Sequence, residues 1–178
     1  MTTATAARTG LYAWGGPGTV EMLKTKYRGW RMRVDERSFL RMYEPEFLHA
    51  ATHTLGVTDM WVSYSWGFCD EREKPHRAFL RSRLKHFRKY GIRAHAYVQG
   101  FNAVTAETDA GLLCRDWRGK PLPYSTGRSQ ICPSNPATRY RILSRVAAAC
   151  NEDVGGVFVD NVISGAPARF FSRDYASF

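Results

Sequence analysis

Alternation constrains this chain more than any other feature of its sequence. Four short runs that suit strands are separated by stretches with helical apolar spacing. "GWRMRVDE" predicts a short first strand closing on Asp35 and Glu36. "EPEFLHAATHTLG" predicts a helix, with Pro45 at its first turn, Gly56 at its stop, and Phe47, Leu48, Ala51 and Leu55 on one face. "VTDMWVSYSWG" is rich in β-branched and aromatic residues and predicts the second strand. A basic helix, "HRAFLRSRLKHFRKYG", leads to "IRAHAYVQG", in which His95, Tyr97 and Gln99 alternate with Ala94, Ala96 and Val98. Residues 100–135 show little periodicity and predict a long functional loop. "NPATRYRILSRVAAAC" then predicts a helix, and "VGGVFVDNV" a last buried strand ending on Asp160 and Asn161.

Strands joined by helices in this order predict an α/β fold with a parallel sheet. Neither a dinucleotide fingerprint nor a Walker pattern follows a strand, which disfavours a dinucleotide-binding fold. Polar residues recur instead at strand ends: Asp35, Ser65 beside Trp66, Gln99 and Asp160. In a (β/α) TIM-type barrel such ends converge on one mouth, so this barrel is the preferred architecture. About four βα steps are countable where a full barrel has eight, so the barrel is expected to be incomplete. The expected division is an N-terminal extension over 1–27 and the first half of a barrel over 28–178.

Charge opens a second possibility. Lys and Arg number 26 against 16 Asp and Glu, a formal net charge of +10. Arg77, Arg81, Arg83, Lys85, Arg88 and Lys89 crowd one predicted helix, and such a row can hold nucleic acid or another polyanion. Its ordinary alternative is a solvated outer face. The opening residues show no secretory pattern and no run reaches the length of a membrane span, so a cytoplasmic location and no membrane partner are expected. The four cysteines form no CxxC pair, and His49 and His53, at i, i+4, lack an acidic third ligand. Neither a metal nor a cofactor is expected.

The stretch from about Arg31 to Val162 resembles the first half of a glycoside-hydrolase barrel of the α-L-fucosidase-like and related glycosyl-hydrolase families. "YEPEFLHAATHTLGV", "HFRKYGIRAHAYV", "CRDWRGKPL", "ICPSNPATRYRILSRV" and "VGGVFVDNV" carry the resemblance by their shared order. It implies hydrolysis of O-glycosyl bonds in a carbohydrate substrate, with Asp160 as catalytic nucleophile and Asn161 beside it. It also implies sugar subsites lined by Trp66, His95 and Tyr97, with the Asp116–Trp117 pair in the segment before the fourth strand. Gln99 is a candidate reader of sugar hydroxyls. A glycosidase needs a second carboxyl group, roughly 5–5.5 Å away for retention and roughly 6.5–9.5 Å for inversion. Asp35, Glu36 and Asp116 are the candidates, none with an identifying motif. The plain alternatives are a turn aspartate at 160 and a packed core position at His95. A half barrel also predicts self-association through its open edges.

Overall fold

The computed structural model describes residues 7–26 and 35–162. The elements in chain order are β1 (Gly10–Ala13), α1 (Pro17–Lys26), α2 (Glu36–Arg41), α3 (Pro45–Leu55), β2 (Asp59–Ser65), α4 (Asp70–Lys89), β3 (Arg93–Gln99), β4 (Asn102–Val104), β5 (Pro123–Ser125), β6 (Arg128–Gln130), α5 (Pro136–Cys150) and β7 (Gly156–Asp160). The main sheet has the order β1-β2-β3-β7 and every pairing in it is parallel. Strands therefore lie side by side in the order in which the chain makes them, without the reversal of a doubly wound sheet.

The two faces of this sheet differ, and strand alternation explains how. Met60, Val62 and Tyr64 of β2 and Ala94, Ala96 and Val98 of β3 point to one side and are buried against Leu48, Ala51, Leu80, Leu84, Phe87 and Ala149 of α3, α4 and α5. The opposite face carries Tyr12, Trp61, Ser63, His95, Tyr97, Gln99, Phe158 and Asp160 and receives no helix of that core. Helices on one face of a sequentially ordered parallel sheet are what a barrel wall has; closure into a barrel is not present among the described residues.

Three expectations change. The first strand of the sheet is Gly10–Ala13, which pairs with β2 from Gly10↔Asp59 to Ala13↔Val62, so the sheet begins before residue 28. A four-residue strand is too short to show a period. Most of "GWRMRVDE" lies outside the described residues. Its end, Asp35, caps α2, accepting hydrogen bonds from the Arg37 N–H and the Ser38 hydroxyl, as an aspartate before a helix readily does.

The loop expected over 100–135 contains a second, antiparallel sheet of order β4-β6-β5, whose three-residue strands again escape periodicity. It is fastened to the carboxyl end of β2 by the Val104 N–H, which donates to the Gly67 carbonyl at 3.1 Å.

The basic helix starts earlier, at Asp70, with Asp70, Glu71 and Glu73 in its first turn, where they complement the helix dipole. Its arginines are largely spoken for. Arg77 pairs with Asp70 and Glu73, Arg81 with Glu152, Arg83 with Glu44 and Arg88 with Asp153. Arg77 thus finds its acids within the helix itself, while Arg81, Arg83 and Arg88 find theirs elsewhere in the chain.

Candidate active site

Asp160 is the last residue of β7 and stands in register beside Gln99, the last residue of β3. Its carboxylate is half-buried and takes three hydrogen bonds. Tyr97 Oη donates to Oδ2 at 2.8 Å, Asn161 Nδ2 to the same oxygen at 2.9 Å, and the Asn161 backbone N–H to Oδ1 at 2.7 Å. Asn161 reaches both oxygens because its backbone is left-handed, at φ 54°, a conformation asparagine tolerates better than most residues. The next strand end braces this turn. Gly100 N–H donates to the Asp160 carbonyl at 2.8 Å, and a Cβ at position 100 would lie 2.4 Å from that oxygen. Only glycine fits there.

Tyr97 is buried, and burial together with the adjacent Asp160 carboxylate pushes its phenol well above the usual range, so it remains a proton donor. Its oxygen also lies 3.1 Å from Gln99 Oε1. One phenolic proton cannot serve both acceptors. With the carboxylate taking it, the Gln99 amide satisfies the phenol oxygen when turned to present its NH2, the group otherwise buried without a partner among the described residues.

Aromatic rings surround the pair. Trp66 lies against Tyr97 with centroids 4.7 Å apart, and its indole N–H donates to Thr19 on α1 at 3.1 Å. Trp14, just past β1, meets Trp66 and Tyr97 edge-on and is 47% exposed. Tyr124 reaches in from β5 and donates to Asn161 Oδ1 at 2.6 Å. Behind them Arg128 of β6 is buried, donating to Asn102 Oδ1 at 2.6 and 2.9 Å and to the Trp66 carbonyl at 2.5 Å. Burial pushes its guanidinium down to about 10. It has no carboxylate within 4 Å among the described residues.

Of the residues singled out in the sequence, Trp66, Tyr97, Gln99, Asp160 and Asn161 come together. His95 does not. It sits at the opposite, amino-terminal end of β3, four residues or about 13 Å from Gln99 along the strand. There its Nε2 is 2.7 Å from Asp59 Oδ1 and its ring stacks on Trp61, because alternation puts it on the inner face but cannot say at which end. Asp35, the α2 cap, is exposed. Asp116 closes a turn, accepting from the N–H groups of Arg118 and Lys120 at 2.9 and 2.8 Å, and Trp117 is 75% exposed under the Arg118 guanidinium. A short polar loop asks for an Asx turn, and that is how the chain uses Asp116. Neither side chain joins the Asp160 cluster, and Glu36 is paired with Lys24.

Trp14, Tyr124 and Arg128 are the members that the sequence does not announce. Their elements are too short to carry a pattern. Among the described residues no group of three or more His, Cys, Asp or Glu has a metal-holding arrangement, and no helix is long and apolar enough to cross a membrane.

No family model matches the sequence, and no curated protein is similar to it in sequence. Solved structures are similar in fold. A noncanonic maltogenic alpha-amylase, AmyB from Thermotoga neapolitana, matches with a TM-score of 0.52 and 14% identity, over 71% of this chain and 35% of that one. An alpha-amylase from Lactobacillus plantarum matches with a TM-score of 0.48 and 8% identity, over 66% and 34%. This chain thus spans about a third of the length of either. The likeness to AmyB is one of fold alone and lends nothing to a fucosidase-like specificity.

Proposed function

We propose that this chain forms part of a glycoside-hydrolase barrel that binds carbohydrate at the carboxyl ends of β1, β2, β3 and β7, with Asp160 as the carboxylate facing the anomeric carbon. One observation carries the reading: Asp160 is half-buried at a strand end and held by Tyr97 and Asn161, with the partly exposed ring of Tyr124 on Asn161 and that of Trp14 edge-on to Tyr97. Aromatic faces pack against sugar C–H groups, while fixed donors select a hydroxyl pattern. The carboxylate would stabilise or trap the positive charge that develops as the glycosidic bond breaks. Glycoside hydrolysis also requires a proton donor for the leaving oxygen. Asp35, Glu36 and Asp116 do not supply one at Asp160, and we assign that role to a further strand of the completed barrel.

The fold likeness to a maltogenic alpha-amylase makes malto-oligosaccharides the first substrates to try. Hydrolysis of malto-oligosaccharides and of a panel of aryl glycosides, followed by reducing-end release, tests the proposal. In the completed barrel that supplies the proton donor, turnover of at least one, lost by about three orders of magnitude or more in Asp160→Asn, is the expected result. Cleavage by the parent with an Asn variant within a few-fold of it would remove Asp160 from the mechanism.

A further inference from the structure

On the outer, helical side of the sheet, a cavity of about 220 Å³ opens between the start of α4 and the middle of α5. Asp70, Arg77, Tyr140, Arg141, Ser144 and Arg145 line it. Three guanidinium groups from two helices therefore face one small space.

Their bonding leaves donors over. Arg77 gives Nη2 to Asp70 at 2.8 Å and to Glu73 at 3.0 Å. Arg145, whose side chain is only 7% exposed, gives Nη2 to the Phe68 carbonyl at 2.6 Å, with Glu73 at 3.5 Å and Asp70 at 3.7 Å. Arg141 gives Nη2 to the same carbonyl at 3.1 Å and has no carboxylate within 4 Å among the described residues. In all three, Nη1 has no partner among the described residues, and neither has the buried Nε of Arg145 or of Arg77.

Glu73 is the only buried acid here, and its oxygens are already shared among Ser65 and the N–H groups of Gly67 and Phe68. Three cations thus meet two carboxylates, one of them largely exposed at Asp70. Burial, and after it the charge of Arg145, pushes the Arg141 guanidinium down to about 10. An anion in the cavity would relieve both effects.

We propose that this cavity binds a tetrahedral oxyanion, namely phosphate, free or as the terminal group of a small phosphate monoester. Planar guanidinium groups match phosphate oxygens in pairs. Ser144 contributes a hydroxyl donor at the wall. The volume holds such an ion with several waters, each needing about 30 Å³. The site lies outside the Asp160 mouth and does not rest on the carbohydrate reading.

Calorimetric titration of the 178-residue chain with inorganic phosphate, with glycerol phosphate and with chloride at matched ionic strength tests the proposal. Saturable binding of phosphate beyond the chloride response is expected, weakened about tenfold or more in Arg141→Gln and in Ser144→Asp, which sets a carboxylate into the cavity. Arg139→Gln, on the exposed side of α5, should bind as the parent does. Binding of phosphate alone identifies a free ion as the ligand, and binding of both identifies the phosphoryl group. Circular dichroism checks the fold of each variant, and Ser144→Asp decides if Arg141→Gln fails to fold. A phosphate response no greater than that of chloride would overturn the proposal. So would unweakened binding in a folded Ser144→Asp variant, or equal weakening in Arg139→Gln and Arg141→Gln.

Discussion

Tyr97 and Asp160 form the contact on which the functional reading turns, and each can be altered without changing its size. Tyr97→Phe removes one of three donors to the carboxylate and leaves the ring packed against Trp66. It should cost about 1 kcal/mol of stability, measured by urea denaturation, and weaken sugar binding more than it weakens the fold. At the other end of the same face, Asp59 makes a different kind of prediction. The Arg8 guanidinium first, then the His95 ring and the Thr58 hydroxyl, outweigh burial and hold its carboxyl well below the usual carboxylate range. The unfolded chain therefore takes up this proton before the folded one does. Stability from Asp59 is full above about pH 4 and is lost as the pH falls below it toward the folded value. Asp59→Asn should cost about 2 kcal/mol at pH 7 and show a flatter decline in thermal melts between pH 5 and 2.5. A parallel decline in parent and variant would show that Asp59 does not carry the acid limb.

Among the elements, α4 shows how far sequence patterning reaches. Leu80, Leu84 and Phe87 predict its buried face, and all three are in the core. Its charged face is another matter, because Glu44, Glu152 and Asp153, which neutralise its arginines, lie far away in sequence. Ion pairing across a fold has no local signature. The same limit applies to Glu73, which looks like a surface residue of a charged helix start but is fully buried, clamping the loop after β2 through Ser65, Gly67 and Phe68. Glu73→Gln should destabilise by about 3 kcal/mol or more, because it leaves Arg77 and Arg145 partly uncompensated inside the protein. A loss below 1 kcal/mol in chemical denaturation would show the clamp to be unimportant. The strands with a run of at least five residues, β2, β3 and β7, were legible from composition and alternation; β1, β4, β5 and β6 were not. The mouth was legible to the same degree: the residues at the ends of the longer strands are there, and those donated by the short ones are missing from the pattern.

At the scale of the molecule, a sheet with helices on one face leaves the other face aromatic, with Tyr12 48% exposed and Phe158 half-buried. Its outer strands β1 and β7 pair on one side only among the described residues. Such edges and such a face favour pairing with more chain, so the 178-residue protein should sediment as an assembly larger than a monomer. A single monomeric species across a tenfold concentration range would contradict this. Whatever the assembly, the mouth and the bottom of the sheet are separated by the length of β3, which allows one comparison to isolate the proposed site. Calorimetric titration with a malto-oligosaccharide should give saturable binding by the parent, binding weakened about tenfold or more in Trp14→Ala, whose ring is partly exposed, and binding unchanged in His95→Gln. No saturable binding by the folded parent, or equal weakening by the two substitutions, would contradict a carbohydrate site at the strand ends around Asp160.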